Sequence, residues 1–179
     1  MGAERAEVAV GAALAGGGVE MLVSTGLAGG CVPGVRAGEV MEAGWVVDAK
    51  TGERFAAGDG GGVTLVSAAA IVNVAEKSRL AREFGAVMVD MEAAAVARMA
   101  LERGLGFRAI KGVSDAFDFE LSGLAKFQGE RGSFRTGAFA AYTAVRPWTW
   151  GKAMELGGGS GKALAGLEEK LRGVIADGA

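Results

Sequence analysis

Val89-Asp90-Met91-Glu92-Ala93 and Val113-Ser114-Asp115-Ala116-Phe117-Asp118 are the two stretches that decide the fold. Each follows a short apolar run, at residues 86–89 and 107–113, and such runs are typical of buried strands in a parallel sheet. A strong helix is predicted between them, over residues 91–103. The first stretch therefore puts a carboxylate at the start of a helix, and the second puts two carboxylates just past a strand.

The rest of the chain continues this alternation of apolar runs and helices. It predicts an α/β protein with a three-layer fold, in which a central mixed, largely parallel sheet is flanked by helices. We expect one domain over residues 1–179. The other predicted elements are helices at 3–15 and 75–84, strands at 19–25, 45–47 and 63–66, and a hairpin-like turn at 51–53.

A last helix is predicted near the carboxyl terminus, within residues 157–179. Leu164, Leu167, Leu171 and Val174 recur there at spacings of three and four, which indicates one apolar helix face. We expect the three glycines at 157–159 to act as a hinge before it. Ser160 is a suitable N-cap residue for the helix.

A third candidate segment is the glycine-rich run Gly26-Leu27-Ala28-Gly29-Gly30, predicted as a turn after the strand at 19–25. In α/β sheets, ligands collect at the carboxyl ends of the strands. All three segments are predicted to follow strands, so we expect them to converge on one edge of the sheet. The run lacks the G-x-G-x-x-G spacing and does not indicate a dinucleotide site.

Two residue types restrict the chemistry. The 179 residues include no histidine and a single cysteine, Cys31. This excludes a Ser-His-Asp triad, an H-E-x-x-H zinc site and an intrachain disulfide. A general acid would have to be a carboxylic acid, a lysine, a tyrosine or the lone thiol. We expect neither a metal site nor an organic cofactor.

The charge balance and hydropathy restrict the partners. With 19 basic and 21 acidic residues the net charge is −2, which does not favour nucleic acid as a partner. No run reaches the roughly 18 to 20 apolar residues that span a bilayer. The amino terminus carries acidic residues where a signal peptide has a positive charge. We therefore expect a cytoplasmic protein without membrane contact.

Each candidate also has a purely structural interpretation. A glutamate such as Glu92 at a helix start stabilises the helix macrodipole by a few tenths to about 1 kcal/mol. Ser114 and Asp115 are residue types that form Asx turns and helix caps. The glycine run suits a tight turn. On residue type and spacing alone, these alternatives stay open.

Met91-Glu92-Ala93-Ala94-Ala95 resembles the M-E-A-A-A stretch of the nucleoside phosphorylase and nucleosidase superfamily, and especially of methylthioadenosine/S-adenosylhomocysteine nucleosidases. These enzymes break the N-glycosidic bond of nucleosides. The resemblance implies that Glu92 binds the ribose hydroxyls and that Met91 packs against the sugar. Residues 108–118 resemble the family's R-x-I-S-D-x-x-D segment, which implies that Asp115 is the general acid and that Ser114 orients it.

A general acid of this kind works best when burial and a negative neighbour raise its pKa. The reaction would pass through an oxocarbenium-like transition state, as in glycoside hydrolysis. The resemblance also implies that Gly26, Leu27, Ala28 and Gly29 line the ribose side of the site. The segment 67–73, with Ala70 and Ile71, corresponds to the part whose backbone reads the base.

The acceptor follows from two departures from the family pattern. Phosphorolytic relatives use a serine and an arginine to hold phosphate, and this chain has Leu27 and Ser24 at those positions. A buried anion needs paired donors, so water is the preferred acceptor. The interpretation is a nucleosidase acting on a purine or 5′-thio-substituted nucleoside. The alternatives are a phosphate-dependent phosphorylase and a non-catalytic nucleoside-binding or assembly subunit.

Two further expectations concern the ends of the chain. Residue 1 falls where the resemblance places the end of three initial strands, so we expect an open sheet edge and a homo-oligomer that covers it. The aromatic and basic stretch at 119–154 is interpreted as ordinary core and surface helix, as a lid or subunit contact, or as a membrane-surface patch. Its Arg146-Pro147-Trp148 tail is similar to that of phosphorylase-like proteins associated with hopanoid biosynthesis.

Overall fold

The computed structural model describes residues 2–120 and 150–177. This part folds into a mixed sheet flanked by helices, which confirms the predicted α/β class. Most of the aromatic and basic stretch, residues 121–149, lies outside the described residues. The elements are α1 (Ala3–Leu14), β1 (Met21–Gly30), β2 (Val40–Asp48), β3 (Arg54–Ala56), β4 (Val63–Ser67), α2 (Val74–Phe84), β5 (Ala86–Asp90), α3 (Ala93–Glu102), β6 (Gly106–Asp115) and α4 (Trp150–Asp177).

The six described strands follow the order β3-β2-β4-β5-β1-β6, and β2 also pairs with β6. Five strands therefore close into a ring, and among those described only the three-residue β3 has a free edge. The open sheet edge expected from the sequence is not found among these strands, because β2 pairs with two different strands along its length. Its residues 40–43 pair with β6 and its residues 45–47 pair with β3.

The division of β2 occurs at Gly44. A Cβ at this position would lie 1.9 Å from the carbonyl oxygen of Gly61, so the loop between β3 and β4 packs directly on the backbone. The register between β2 and β4 also shifts between Ala43 and Trp45. Glycine is required here for the close approach of two backbones.

The glycine-rich run is the second half of β1, so the predicted turn at 26–30 is wrong. Leu27 and Ala28 pair in parallel with β6, and Gly30 pairs antiparallel with Met88 of β5. The glycines serve close packing, because a Cβ at Gly30 would lie 3.1 Å from Val35. Strand β6 likewise continues to Asp115, so the second quoted stretch begins inside a strand and not after one.

Helix α2 forms as its sequence predicts. The side chain of Asn73 accepts a hydrogen bond from the Glu76 amide at 2.8 Å and caps the first turn. Gly85 ends the helix with a left-handed φ of 69°, a conformation that glycine adopts without strain. Leu80 on its inner face is fully buried, and so is Lys77 three residues earlier.

Helix α4 differs most from its prediction. It runs through the glycines at 157–159 without a hinge, and Ser160 lies inside it and not at its N-cap. The glycines let the helix approach the sheet, since a Cβ at Gly159 would lie 2.7 Å from the Ala37 Cβ and 2.8 Å from the Ser114 oxygen. Ala163 and Leu167 form the buried face, whereas Leu164, predicted to share it, is 53% exposed.

The core lies between the sheet and helices of small residues. Ala93, Ala94 and Ala97 of α3 are buried against strand residues such as Leu65 and Met88. Alanine brings the helix axis close to the sheet and does not lower helix propensity. Within the described residues, no helix is both long enough and apolar enough to cross a membrane.

Candidate active site

Asp115, the predicted general acid, ends β6 in a buried ion pair. Its Oδ2 atom lies 2.5 Å from the Nζ atom of Lys77 in α2, and both side chains are at most 2% exposed. Lys77 also donates to the carbonyl oxygens of Ala116 at 2.8 Å and Phe119 at 3.4 Å. The burial expected of the acid is found, but its close charged neighbour is positive and not negative.

Ser114 contacts the second oxygen of the same carboxyl group. Its Oγ atom lies 2.5 Å from Asp115 Oδ1 and 3.2 Å from the carbonyl oxygen of Ala28. A hydroxyl has one hydrogen to donate and two lone pairs that accept. Ser114 therefore contacts both β1 and the Asp115 carboxyl group at the end of β6.

Gly29 provides the space for this pair. A Cβ on Gly29 would lie 3.1 Å from Asp115 Oδ2 and 3.4 Å from the Cε atom of Lys77. Ala28 beside it is buried, while Gly26 and Leu27 are half-buried, and Gly26 has a φ of 131° that favours glycine. Of the predicted sugar-side residues, Gly29 therefore lies against Asp115, and the other three precede it in β1.

A second buried pair lies just before Met91 and Glu92. Asp90 Oδ2 is 2.8 Å from the Nζ atom of Lys111, and both side chains are at most 1% exposed. Ser67 donates to Asp90 Oδ1 at 2.6 Å. Lys111 also donates to Ser24 at 3.0 Å, so Ser24, expected to mark a lost phosphate contact, serves this pair.

Asp90 and Ser67 also cap helix α3. The Ala93 amide donates to Asp90 Oδ2 at 3.0 Å, and the Ala94 amide donates to Ser67 Oγ at 2.9 Å. Glu92 occupies the N-cap position, yet its side chain makes no capping hydrogen bond. The capping of the amides by other residues argues against the purely structural interpretation of Glu92.

Glu92 is half-buried, as is Met91 beside it. Burial raises the pKa of the Glu92 carboxyl, and the Asp90 carboxylate raises it further, while Lys111 lowers it. A carboxylate that lacks full solvation gains from any hydroxyl donors that approach it. The group is therefore suited to accept hydrogen bonds from a diol.

The register of β1 brings these groups to one place. Gly29 is the pairing partner of Val89 in β5 and of Asp115 in β6. Glu92 follows three residues after Val89. The predicted convergence of the three segments therefore occurs, although two of them are strand ends and not loops.

Ala70 and Ile71, predicted to contact the base, lie in the connection between β4 and α2. Ala70 is exposed and Ile71 is half-buried. The connection starts at Ser67, which binds Asp90, and leads to Lys77, which binds Asp115. It therefore spans the side of the site between the two buried pairs.

Cys31 lies next to the end of β1 and is buried. Burial raises the pKa of its thiol to about 12, with Lys77 lowering it and Asp115 raising it. A thiol of this kind is a weak proton donor and an inert nucleophile near neutral pH. Among the described residues, no three His, Cys, Asp or Glu side chains form a group that could hold a metal ion.

Both buried lysines were missed by the sequence analysis. Lys77 had a recognisable sign, because it occupies a core-facing position of an amphipathic helix, three residues before Leu80. Lys111 lies in an apolar strand, where a lysine is rarely buried unless it is paired. Each sign predicts a buried partner but does not identify it.

One family model matches part of the chain. Residues 51–138 match the model of the family described as the phosphorylase superfamily. No curated protein sequence matches the chain.

Several solved structures share the fold. The 5′-methylthioadenosine/S-adenosylhomocysteine nucleosidase of Helicobacter pylori is 18% identical with a TM-score of 0.61, over 70% of this chain and 67% of that one. The futalosine hydrolase of the same organism is 17% identical, with the same coverage and TM-score. A putative methylthioadenosine nucleosidase of Weissella paramesenteroides is 18% identical with a TM-score of 0.58, over 63% of this chain and 65% of that one.

One of these structures, a variant of the Helicobacter pylori methylthioadenosine nucleosidase, holds 5′-methylthioadenosine in its active site. At 17–19% identity the similarity establishes the fold of this chain. The matched parts make up 64–68% of the length of the solved chains, so this chain spans about two thirds of each.

Proposed function

We propose that this chain, whose residues 51–138 match the phosphorylase superfamily model, hydrolyses the N-glycosidic bond of a nucleoside. The substrate would be a purine or 5′-thio-substituted nucleoside, and the acceptor would be water. The observation that carries this proposal is the state of Glu92. Its carboxylate is half-buried, makes no helix-capping bond, and follows the strand that pairs with Gly29 beside Asp115.

Glu92 would hold the ribose through its two adjacent hydroxyl groups. Hydrogen bonds to a charged group contribute about 1.5–3 kcal/mol each, which fixes the sugar firmly. Met91 would pack against the face of the ring. Gly26, Leu27, Ala28 and Gly29 would border the sugar, and the backbone around Ala70 and Ile71 would contact the base.

Asp115 would deliver a proton to the leaving base, and Ser114 would keep its carboxyl group oriented. As the C–N bond breaks, its electron pair passes to the base and positive charge develops on the sugar ring. Protonation of the base makes it a better leaving group. General acid catalysis of this kind contributes about 10²–10⁴-fold to a rate.

Water is favoured over phosphate by the pairing of Lys111. This cation contacts Ser24, where phosphorolytic relatives were expected to have an arginine, but it is already paired with Asp90 at 2.8 Å. A bound phosphate would need cationic donors that are not already paired. The geometry thus supports hydrolysis over phosphorolysis.

The test is base release from a panel of purine and pyrimidine nucleosides, including 5′-methylthioadenosine, with and without inorganic phosphate. We expect release of a purine in the absence of phosphate. Asp115→Asn should lower kcat by about 10²–10⁴-fold. Asp59→Asn, a change of the same chemistry at an exposed loop residue, should leave the rate unchanged.

Other outcomes identify the alternatives. Release that strictly requires phosphate would make the protein a phosphorylase. Binding of a nucleoside without turnover, insensitive to Asp115→Asn, would indicate a non-catalytic subunit.

A further inference from the structure

Lys77 is a fully buried lysine for which the proposed reaction has no stated role. An ammonium group has three hydrogens to donate, and three oxygen atoms surround Lys77 Nζ: Asp115 Oδ2 at 2.5 Å, Ala116 O at 2.8 Å and Phe119 O at 3.4 Å. The surroundings thus match the protonated form of the amine. Burial of a charge is unfavourable unless it is well paired, so the chain retains this group against a desolvation penalty.

The site also accommodates the carboxyl group in both protonation states. When Asp115 is ionised, Ser114 donates its hydrogen to Oδ1. When Oδ2 carries a proton taken from Lys77, it can donate that proton to the lone pair of the neutral amine at 2.5 Å. The two remaining amine hydrogens then face Ala116 O and Phe119 O, and Ser114 still donates to Oδ1. No buried polar atom of this set loses its partner in either state.

A leaving base requires a proton, and a carboxylate paired with an ammonium group has none to give. We propose that Lys77 is the positioning residue that supplies the proton which Asp115 delivers to the leaving base. The inference rests on the proposed nucleosidase function. Asp115 remains the group that faces the substrate, and Lys77 acts through it.

The steps balance as follows. A proton moves from Lys77 Nζ to Asp115 Oδ2, which leaves a neutral amine and a neutral carboxylic acid. Asp115 then protonates a ring nitrogen of the base while the C–N bond breaks and its electrons pass to the base. Water adds to the sugar cation and releases a proton to solvent, and the Lys77 amine takes up a proton from solvent.

The proximity that this transfer needs depends on Gly29. A Cβ there would lie within 3.4 Å of both Asp115 and Lys77, so a larger residue would displace one of them. Gly29 is also the partner of Val89 near Glu92. The lysine therefore meets the carboxyl group where the candidate site residues converge.

The experiment compares two leaving groups that differ in their need for a proton. One substrate is the nucleoside identified by the base-release assay, and the other is 4-nitrophenyl β-D-ribofuranoside, whose phenolate leaves without protonation. In Lys77→Met, kcat for the nucleoside should fall by about 10²–10⁴-fold. kcat for the nitrophenyl riboside should fall by less than about tenfold, because loss of an acid matters little for a good leaving group.

A second pair of variants separates proton supply from charge and from folding. Lys77→Arg keeps a cation beside Asp115 but does not release a proton, so it should show the same selective loss. The double variant Lys77→Met/Asp115→Asn contains no unpaired charge and is the form to test if Lys77→Met does not fold. Since the two residues act as one unit, its loss should be no larger than that of Asp115→Asn.

Arg79→Met is the matched control, because Arg79 is a partly exposed, ion-paired cation two residues further along the same helix. It should leave both substrates unaffected. Equal losses on both substrates in Lys77→Met, or a Lys77→Arg variant with the wild-type rate on the nucleoside, would overturn the inference and leave the proposed function intact. A wild-type protein that releases no base overturns both.

Discussion

Glu92 illustrates how a functional group can oppose folding. Burial raises the pKa of its carboxyl above the usual value of 4.5. The folded state then binds the proton more tightly than the unfolded state does, so this group lowers stability as the pH rises through the unfolded and then the folded pKa. Hydroxyl donors from a ribose would satisfy the ionised carboxylate and reverse that loss.

Substitution of Glu92 should therefore separate stability from binding. We expect Glu92→Gln to weaken binding of the nucleoside about 10- to 150-fold, because hydrogen bonds to a charged acceptor are lost. Its melting temperature should match the wild type at pH 4 and exceed it at pH 7. Calorimetric titration and thermal unfolding at the two pH values measure both effects.

Glu102→Gln is the control for this comparison, since Glu102 is exposed at the other end of the same helix. It should alter neither binding nor the pH dependence of the melting temperature. A Glu92→Gln protein that binds as well as the wild type would contradict the assigned role of the carboxylate.

Helix α4 is positioned by its glycines. Gly159 contacts Ala37 and Ser114, whereas a Cβ on Gly161 would meet nothing within 4 Å. The two residues share a helix but differ in what their missing side chains would touch. They are therefore a matched pair for the packing of this helix on the sheet.

We expect opposite effects from alanine at these two positions. Gly161→Ala should stabilise the protein by up to about 1 kcal/mol through helix propensity. Gly159→Ala should destabilise it by about 1–3 kcal/mol through overpacking, and should also lower base release because the contact is with the backbone of Ser114. Urea unfolding measures the stability of both variants, and the base-release assay measures the activity of Gly159→Ala. The two variants would behave alike if α4 did not pack closely on the sheet at Gly159.

Elements whose structure depends on nearby residues were predicted correctly, and elements whose structure depends on distant residues were not. Helix α2 forms close to its predicted bounds, and the groups that stabilise it, its cap, its apolar face and its terminal Gly85, lie within or next to the segment itself. The glycine runs at 26–30 and 157–159 were misassigned because glycine has two uses. In a turn, glycine is needed because it adopts a positive φ, and the neighbouring sequence indicates such a turn. In close packing, glycine is needed because a side chain would not fit, and this depends on residues far along the chain.

Two buried ion pairs connect the elements that surround the candidate site. Lys77–Asp115 joins α2 to β6, and Lys111–Asp90 joins β6 to β5. The partners are separated by 38 residues in the first pair, so the sequence could not match them. The sequence did identify Glu92, Ser114 and Asp115 as candidates, because the residues around them resemble family motifs. Their roles stay predictions, and so does the expected homo-oligomer.

Breaking the second pair should affect the whole structure. Asp90→Asn leaves Lys111 as an unpaired buried cation and should lower the free energy of unfolding by about 3–5 kcal/mol. The double variant Asp90→Asn/Lys111→Met should recover most of that loss, since neither charge remains. Removal of Glu168, which pairs with Arg172 on the exposed surface, should change stability by less than about 1 kcal/mol.

Cys31 is a natural probe of local opening in this protein. It is the only thiol in the chain, it is 3% exposed, and its amide bonds to the carbonyl oxygen of Val87 in β5. With its pKa raised to about 12 it does not react in the closed state, so an alkylating reagent must wait until β1 and β5 separate. The rate of thiol modification therefore reports how often β1 and β5 separate beneath the candidate active site.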